Sequence, residues 1–304
     1  MGVSVGGAAL AALPRLGVGL SFQPSLLPLV LGEEAGCDFV EVIPDTLWQP
    51  PNRLDGEVDD GARGMPVEAA EMLGDLSRRK PLVVHSIGLS IGTAETFDTS
   101  HVRGIASWHR RFGFPWHSDH LSFNRFEVPS GHSLESGLTI PVPYDESVLE
   151  MICERVGYVL REVPAPFLLE NNVYYFEIPE QEMSEADFLN ELAARSGCGL
   201  LLDIHNVYVN ACNHGFDGWS FIEQIDLDKV VEIHIAGGLT VAETYLDAHS
   251  GPCPEPVWDW LAELVPRTPN LRGVVFEILD SYVPEVGVAA VRSQLSRARS
   301  LFAA

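Results

Sequence analysis

The stretch GLLLDIHNVYVN, residues 199–210, runs from apolar chain straight into polar groups. GLLLD reads as a short buried strand, apolar on both faces, of the kind that lies between a core and a layer of helices. Buried strands ordinarily end in turn residues. This one ends in Asp203, with His205 and Asn206 immediately after it. Three groups able to bind a metal therefore stand at the carboxyl end of one strand.

The same pattern repeats outward in both directions. Strands are expected at 17–21 (GVGLS), 38–43 (DFVEVI), 81–85 (PLVVH), 115–120 (PWHSDH), 166–170 (PFLLE), 230–235 (VVEIHI) and 273–277 (GVVFE). Amphipathic stretches separate them near 26–35, 66–79, 99–112, 144–162, 184–196, 254–266 and 284–302. Between 204 and 229 only a short helix near 218–224 is expected. Ser184 is a good N-cap ahead of a face made by Phe188, Leu189 and Leu192, and Pro256 falls in a first helical turn. Eight strands alternating with helices imply parallel βαβ units closing into an α/β fold of the (β/α)8 barrel type. Residues 1–304 are expected to form a single domain, a length at which such barrels remain one unit.

In a barrel all strand ends converge on one rim. There they would gather His85, His120, Glu170, Asp203, Asn206, His234 and Glu277, joined by Asp247 and His249 from the loop after the seventh strand. Alone, a strand-end histidine is more often a hydrogen-bonded structural residue, and a buried carboxylate more often half of an ion pair. Together they crowd carboxylates where few of the 19 Lys and Arg lie, so that repulsion and desolvation call for metal cations. Imidazole, carboxylate and amide donors without thiolate suit Fe, Mn or Zn, and spacing alone does not separate iron from zinc. Glu170, on the middle strand, is placed to bridge two ions. Asp119 and Glu41, two further carboxylates of these strands, are expected to serve catalysis, Asp119 by orienting a ligand.

Composition narrows the partners. A net charge of −24 opposes duplex DNA and anionic membranes, leaving no nucleic acid and no membrane among expected partners. The five cysteines have no CxxC spacing and read as reduced thiols. No basic segment precedes an apolar run at the start, and no apolar run reaches the ~18 residues of a membrane span. A cytoplasmic protein is the expectation.

The segments PLVVHSIGLSIG, HSDHLSF, LLENNVYYF, MSEADFLNELAARSGCGLLLDIHNVYVNACNHGFD, EIHIAGG and DAHSGPCPEPVWDW resemble the multinuclear non-heme iron-dependent oxidative enzymes, from about residue 17 to 300. The resemblance implies a xylose-isomerase-like barrel holding two or three iron ions, mixed Fe2+ and Fe3+. It also implies dioxygen as co-substrate and a ribosomal precursor peptide as substrate. Methanobactin maturation is the best-known pathway of that family. Peptidyl Cys is the expected target, with Asp, Asn or a C-terminal residue as alternatives. Some relatives also use a small partner protein that presents the leader.

The ligand order is similar to that of endonuclease-IV-like trinuclear sites. Carried over residue by residue, it implies one ion at His85, His120 and Glu170, and a second at Glu170, Asp203, His234 and Glu277. A third would lie at Asn206, Asp247 and His249. Asn206 stands where the nuclease pattern has His, and His205 replaces an Asn. His205 is expected to point away from Asn206, as a supporting or core residue. In VEVIPDTLW, Asp45 and Thr46 depart from the family's Glu and Asn. The competing readings are a zinc-dependent hydrolase or nuclease, a sugar isomerase or epimerase on the same barrel, and a non-enzymatic precursor-binding scaffold, which needs no metal ring.

Overall fold

The computed structural model describes residues 10–32, 36–48, 64–127, 133–176 and 178–303. Eight parallel strands close into a barrel: β1 (Gly17–Ser21), β2 (Phe39–Val42), β3 (Leu82–Ser86), β4 (His117–His120), β7 (Phe167–Glu170), β8 (Gly199–Asp203), β9 (Val230–Ile235) and β12 (Gly273–Phe276). Neighbours in the wall follow chain order, and β12 closes on β1 through the Gly17–Gly273 to Leu20–Phe276 register. Two antiparallel ribbons stand outside the wall, β5 (Ser122–Glu127) with β6 (Ser133–Pro141) and β10 (Leu239–Val241) with β11 (Thr244–Leu246). The sequence did not suggest either ribbon. Each lies in a loop that leaves the carboxyl end of a strand, where no barrel repeat marks it.

The helices are α1 (Leu27–Leu31), α2 (Val67–Ser77), α3 (Thr99–Phe112), α4 (Glu146–Glu162), α5 (Glu185–Ser196), α6 (Ile204–His214), α7 (Gly218–Ile222), α8 (Glu255–Leu264), α9 (Val283–Val286) and α10 (Val288–Phe302). The helix expected over 26–35 is shorter, and residues 33–35 lie outside those described. The one expected over 284–302 is broken at Gly287, whose φ of 83° no helix accommodates. The caps follow the chemistry of the sequence. Ser184 Oγ accepts from Asp187 N at 3.1 Å, and Pro256 sits inside the first turn of α8.

Side chains alternate across each strand, and here the inward set has two levels. The lower level is apolar: Leu10, Phe39, Val83, Trp116, Leu168, Leu201, Val231 and Val275 plug the barrel. Phe39 and Trp116 meet edge to face at 6.2 Å. Gly19 makes room for them, since a Cβ there would come within 2.5 Å of the Phe39 ring. Two residues further along the strands, the inward positions turn polar: Phe39 gives way to Glu41, Val83 to His85, Leu168 to Glu170, Leu201 to Asp203 and Val275 to Glu277. The apolar floor thus holds a polar layer at the carboxyl ends of the strands, out of reach of bulk water from below.

Candidate metal centre

Imidazoles and carboxylates alternate through the polar layer in one continuous chain. His85 Nε2 lies 3.2 Å from His120 Nε2, and Glu170 Oε2 lies 3.4 Å from the first ring and 2.9 Å from Nδ1 of the second. The other oxygen of Glu170 faces His234 Nδ1 at 3.8 Å. Glu277 Oε2 stands 3.3 Å from His234 Nδ1 and 3.6 Å from His249 Nε2. Asp247 Oδ1 then lies 3.0 Å from both His249 Nε2 and His205 Nδ1. Donor atoms close enough to share a cation form the groups His85–His120–Glu170, Glu170–Asp203–His234, His205–Asp247–His249 and, deeper, Glu41–Glu232–His234. Glu170 belongs to two of them, one oxygen toward each side.

The donors are aimed at the spaces between them rather than at each other. His120 Nδ1, Glu170 Oε2, His205 Nδ1, His234 Nδ1, Asp247 Oδ1 and His249 Nε2 are all buried and, despite their close approaches, make no aligned hydrogen bond. An unpaired buried polar atom is costly, so a cluster of them fits occupants that accept several lone pairs at once. The rings are held for that purpose. Ser118 Oγ lies 3.4 Å from Val84 O, to which it donates, and 2.9 Å from His85 Nδ1, whose proton it accepts; the Nε2 lone pair is left toward the cluster. Glu41 Oε2 lies 3.0 Å from His234 Nε2 and fixes the other tautomer there, freeing Nδ1.

Protonation shows the same pull. Burial opposes charge on His120, but Glu170 and Asp119 outweigh it and hold the ring up at about 9. Burial likewise opposes charge on His249, yet Asp247 and Glu277 lift it to about 10. Asp203 is pushed well above the carboxylate range by burial and by Glu170, Glu277 and Asp247. The carboxylates recruit protons in the absence of a stronger cation, and a metal would displace them.

A cavity of about 170 Å³ opens onto the layer, with His85, His120, Glu170, Asp203, Asn206 and Glu277 in its wall and Ile43, Ile87, Ile278 and Leu279 opposite. Among the described residues no Lys, Arg or Cys lines it. His249 adopts φ 44°, a left-handed conformation uncommon for a side-chain-bearing residue, and its carbonyl accepts from Leu279 N at 3.0 Å.

Of the eleven residues singled out in the sequence, Asp119 is the one that the fold directs elsewhere. It lies on the outer face of β4, where Oδ2 accepts from Ser86 Oγ at 2.6 Å and Leu89 N at 3.3 Å. There it ties down the loop after β3. Glu41 is wholly buried beneath His234 rather than facing the cavity.

Asn206 lines the cavity: its amide nitrogen donates to Asn171 O at 3.0 Å, its Oδ1 is buried without a partner, and His205 also joins Asp247 and His249 in a donor group. The reason is local. Asp203 Oδ1 accepts from Asn206 N at 2.7 Å and caps α6, so residues 205 and 206 are helical, about 100° apart rather than opposed. This helix was not expected from the sequence, though Asp203 as a cap and Gly215, at φ 73°, could have signalled it. Glu232 escaped notice because it lies mid-strand, where it accepts from Trp116 Nε1 at 2.8 Å.

A sequence profile described as RiPP precursor modification enzyme MbnB/TglH/ChrH matches residues 17–302. A UPF0276 protein of Caulobacter vibrioides is 31% identical over 296 residues, covering 95% of this chain and 99% of that one. A UPF0276 protein of Bordetella pertussis is 32% identical over 267 residues, 86% of this chain and 84% of its own. Among solved structures, endonuclease IV from Thermus thermophilus superposes with a TM-score of 0.56 at 17% identity, covering 95% of this chain and 99% of its own. D-psicose 3-epimerase from Clostridium cellulolyticum H10 gives 0.55 at 10% identity, over 94% and 98%. These likenesses establish the xylose-isomerase-like barrel.

Proposed function

Since the chain belongs to the MbnB/TglH/ChrH family of RiPP precursor modification enzymes, we propose that it is an iron-dependent, dioxygen-using oxidase of a ribosomal precursor peptide. The observation that carries this reading is Glu170, whose two oxygens face two adjacent donor groups in a layer where, among the described residues, no Cys, Lys or Arg takes part. Nitrogen and oxygen donors of this kind suit iron.

His85, His120 and Glu170 would hold one ion, and Glu170, Asp203, His234 and Glu277 a second. His205, Asp247 and His249 would hold a third, with Asn206 beside them on the cavity wall. Iron supplies what the side chains lack: a place for dioxygen and a route for electrons out of the substrate. The chain's own residues do the rest. Ser118 and Glu41 keep the imidazole lone pairs turned inward. The apolar floor shuts out water from below, and Ile43, Ile87, Ile278 and Leu279 form a dry wall against which one peptide side chain is held. At about 170 Å³ the cavity is smaller than the ~300 Å³ at which small-molecule sites begin, as suits a single inserted side chain. Peptidyl Cys is the proposed target.

Protein expressed with ample iron and purified gently should carry two or three metal ions per chain by elemental analysis, iron in at least two positions, and should absorb visible light. Less than about one metal per chain would contradict the ring of ligands. A colourless zinc protein that turns over would favour the hydrolase instead.

A further inference from the structure

A second cavity, of about 250 Å³, lies between the end of β6, the loop after β7 and the start of α5. Its wall includes Pro141, Tyr144, Tyr174, Phe176, Gln181 and Glu185. Among the described lining residues Glu185 is the one charged side chain, and the buried Tyr144 shares the wall with it. The rings are held in place. Tyr144 packs on Phe188 with centroids 5.2 Å apart, and Tyr174 lies 4.6 Å from the His214 ring while its backbone N–H donates to Asn210 Oδ1. Phe176 stands at the mouth, 54% exposed.

Three aromatic side chains around one carboxylate make a surface that attracts a cation, the ring faces through their quadrupoles and the carboxylate through its charge. Burial pushes the Glu185 carboxyl up to about 8 against the opposing effect of Tyr144, and no Lys or Arg is among the described lining residues. A guest ammonium or guanidinium would supply the missing partner. The cavity is again too small for most free ligands and suits one long side chain. Its place matters as well. Tyr174 is four residues beyond Glu170, so the two Cα atoms are at most ~14 Å apart. An extended peptide covers that distance in about four or five residues.

We propose that this aromatic, acidic cavity receives a Lys or Arg side chain of the peptide whose nearby residue enters the metal centre. The peptide assignment rests on the peptide-modifying reading; the cation site itself does not. The acidic balance of the whole chain, −24, favours the approach of a basic segment.

The test is a titration of holoenzyme containing 3-fluorotyrosine, followed by fluorine NMR, with n-butylguanidinium and its neutral isostere n-butylurea as probes. The Tyr144 and Tyr174 resonances should shift saturably with the cation, at an affinity about tenfold or more above that of the urea. Glu185→Gln should abolish the preference, and Phe176→Leu, at an exposed position that leaves the fold intact, should weaken it. Equal response to n-butylurea, or an undiminished preference in folded Glu185→Gln protein, overturns the cation site. This arm requires neither peptide nor turnover, so its failure is separate from failure of the oxidase reading. In turnover assays, replacing the peptide's Lys or Arg four or five residues from the modified position by norleucine should raise KM about tenfold, and should change little in Glu185→Gln enzyme. An equal effect in both enzymes overturns the peptide assignment.

Discussion

Glu170 and the histidines around it make the division into sites testable one residue at a time. Glu170→Gln removes a charge that faces both His85–His120 and His234, so metal content should fall at two positions together. His249→Ala and His205→Ala should each empty one position and leave the others filled, because both rings meet the cluster chiefly through Asp247. Metal analysis of the three variants decides it: loss of all metal in every variant contradicts the division. Most of these residues were legible in the sequence, since a His or acid at a strand end, two positions after an apolar inward residue, can only face the lumen. His205 was not assigned to the cluster, because no helix was expected at 204–214, and the helix that begins at Ile204 is what turns it inward. Asp119 lies outside the layer for a reason of strand geometry. In HSDH, the adjacent Asp119 and His120 must face opposite ways, and only His120 can enter the layer.

β4 also carries a histidine on its outer face. His117 stacks on Phe167 with centroids 4.8 Å apart at 25° and lies beside Phe114. Burial drives its pKa down to about 3, with His109 adding repulsion. A folded-state pKa below the unfolded value of about 6.5 means that the unfolded chain takes up the proton first. The stability from a neutral His117 is therefore complete above pH 6.5 and is lost as pH falls toward 3. His117→Phe should lose less stability than the parent over that window, the difference growing by up to ~1.4 kcal/mol per pH unit. Urea unfolding of both metal-free proteins at pH 7 and pH 5 measures it, and parallel losses would contradict the buried, neutral ring. Elements of this kind were readable where period and caps agreed, as in α5 behind Ser184. They were not readable in the two ribbons, which obey loop geometry above the rim rather than the barrel repeat.

The whole molecule presents its functional surface on one side. Leu134 and Leu138 in β6, Phe176 after β7, Val241 in β10 and Leu279 after β12 are exposed apolar groups in segments that follow the carboxyl ends of barrel strands. Of these, Leu279 lines the cavity over the metal centre and Phe176 the aromatic one, and exposed apolar groups at cavity walls fit a surface where a peptide docks. Among the described residues no helix is long and apolar enough to cross a membrane. The closed barrel was legible because eight apolar runs alternate with amphipathic ones. The exposed apolar groups were not, because exposure is a property of the folded loops and leaves no periodic trace.

The oxidase reading meets its most direct test in the fate of the peptide. His, Asp and Glu ligands cannot accept electrons, so a net oxidation needs an external acceptor, which the proposal assigns to dioxygen. A candidate Cys-containing precursor peptide is incubated with iron-loaded protein, in air and under strict anaerobiosis, and followed by mass spectrometry. The expected result is an oxidative mass change in air that is faster with ascorbate and absent without oxygen. A mass change of equal size without oxygen, or the gain of one water, would contradict the oxidase and leave the same barrel to hydrolysis.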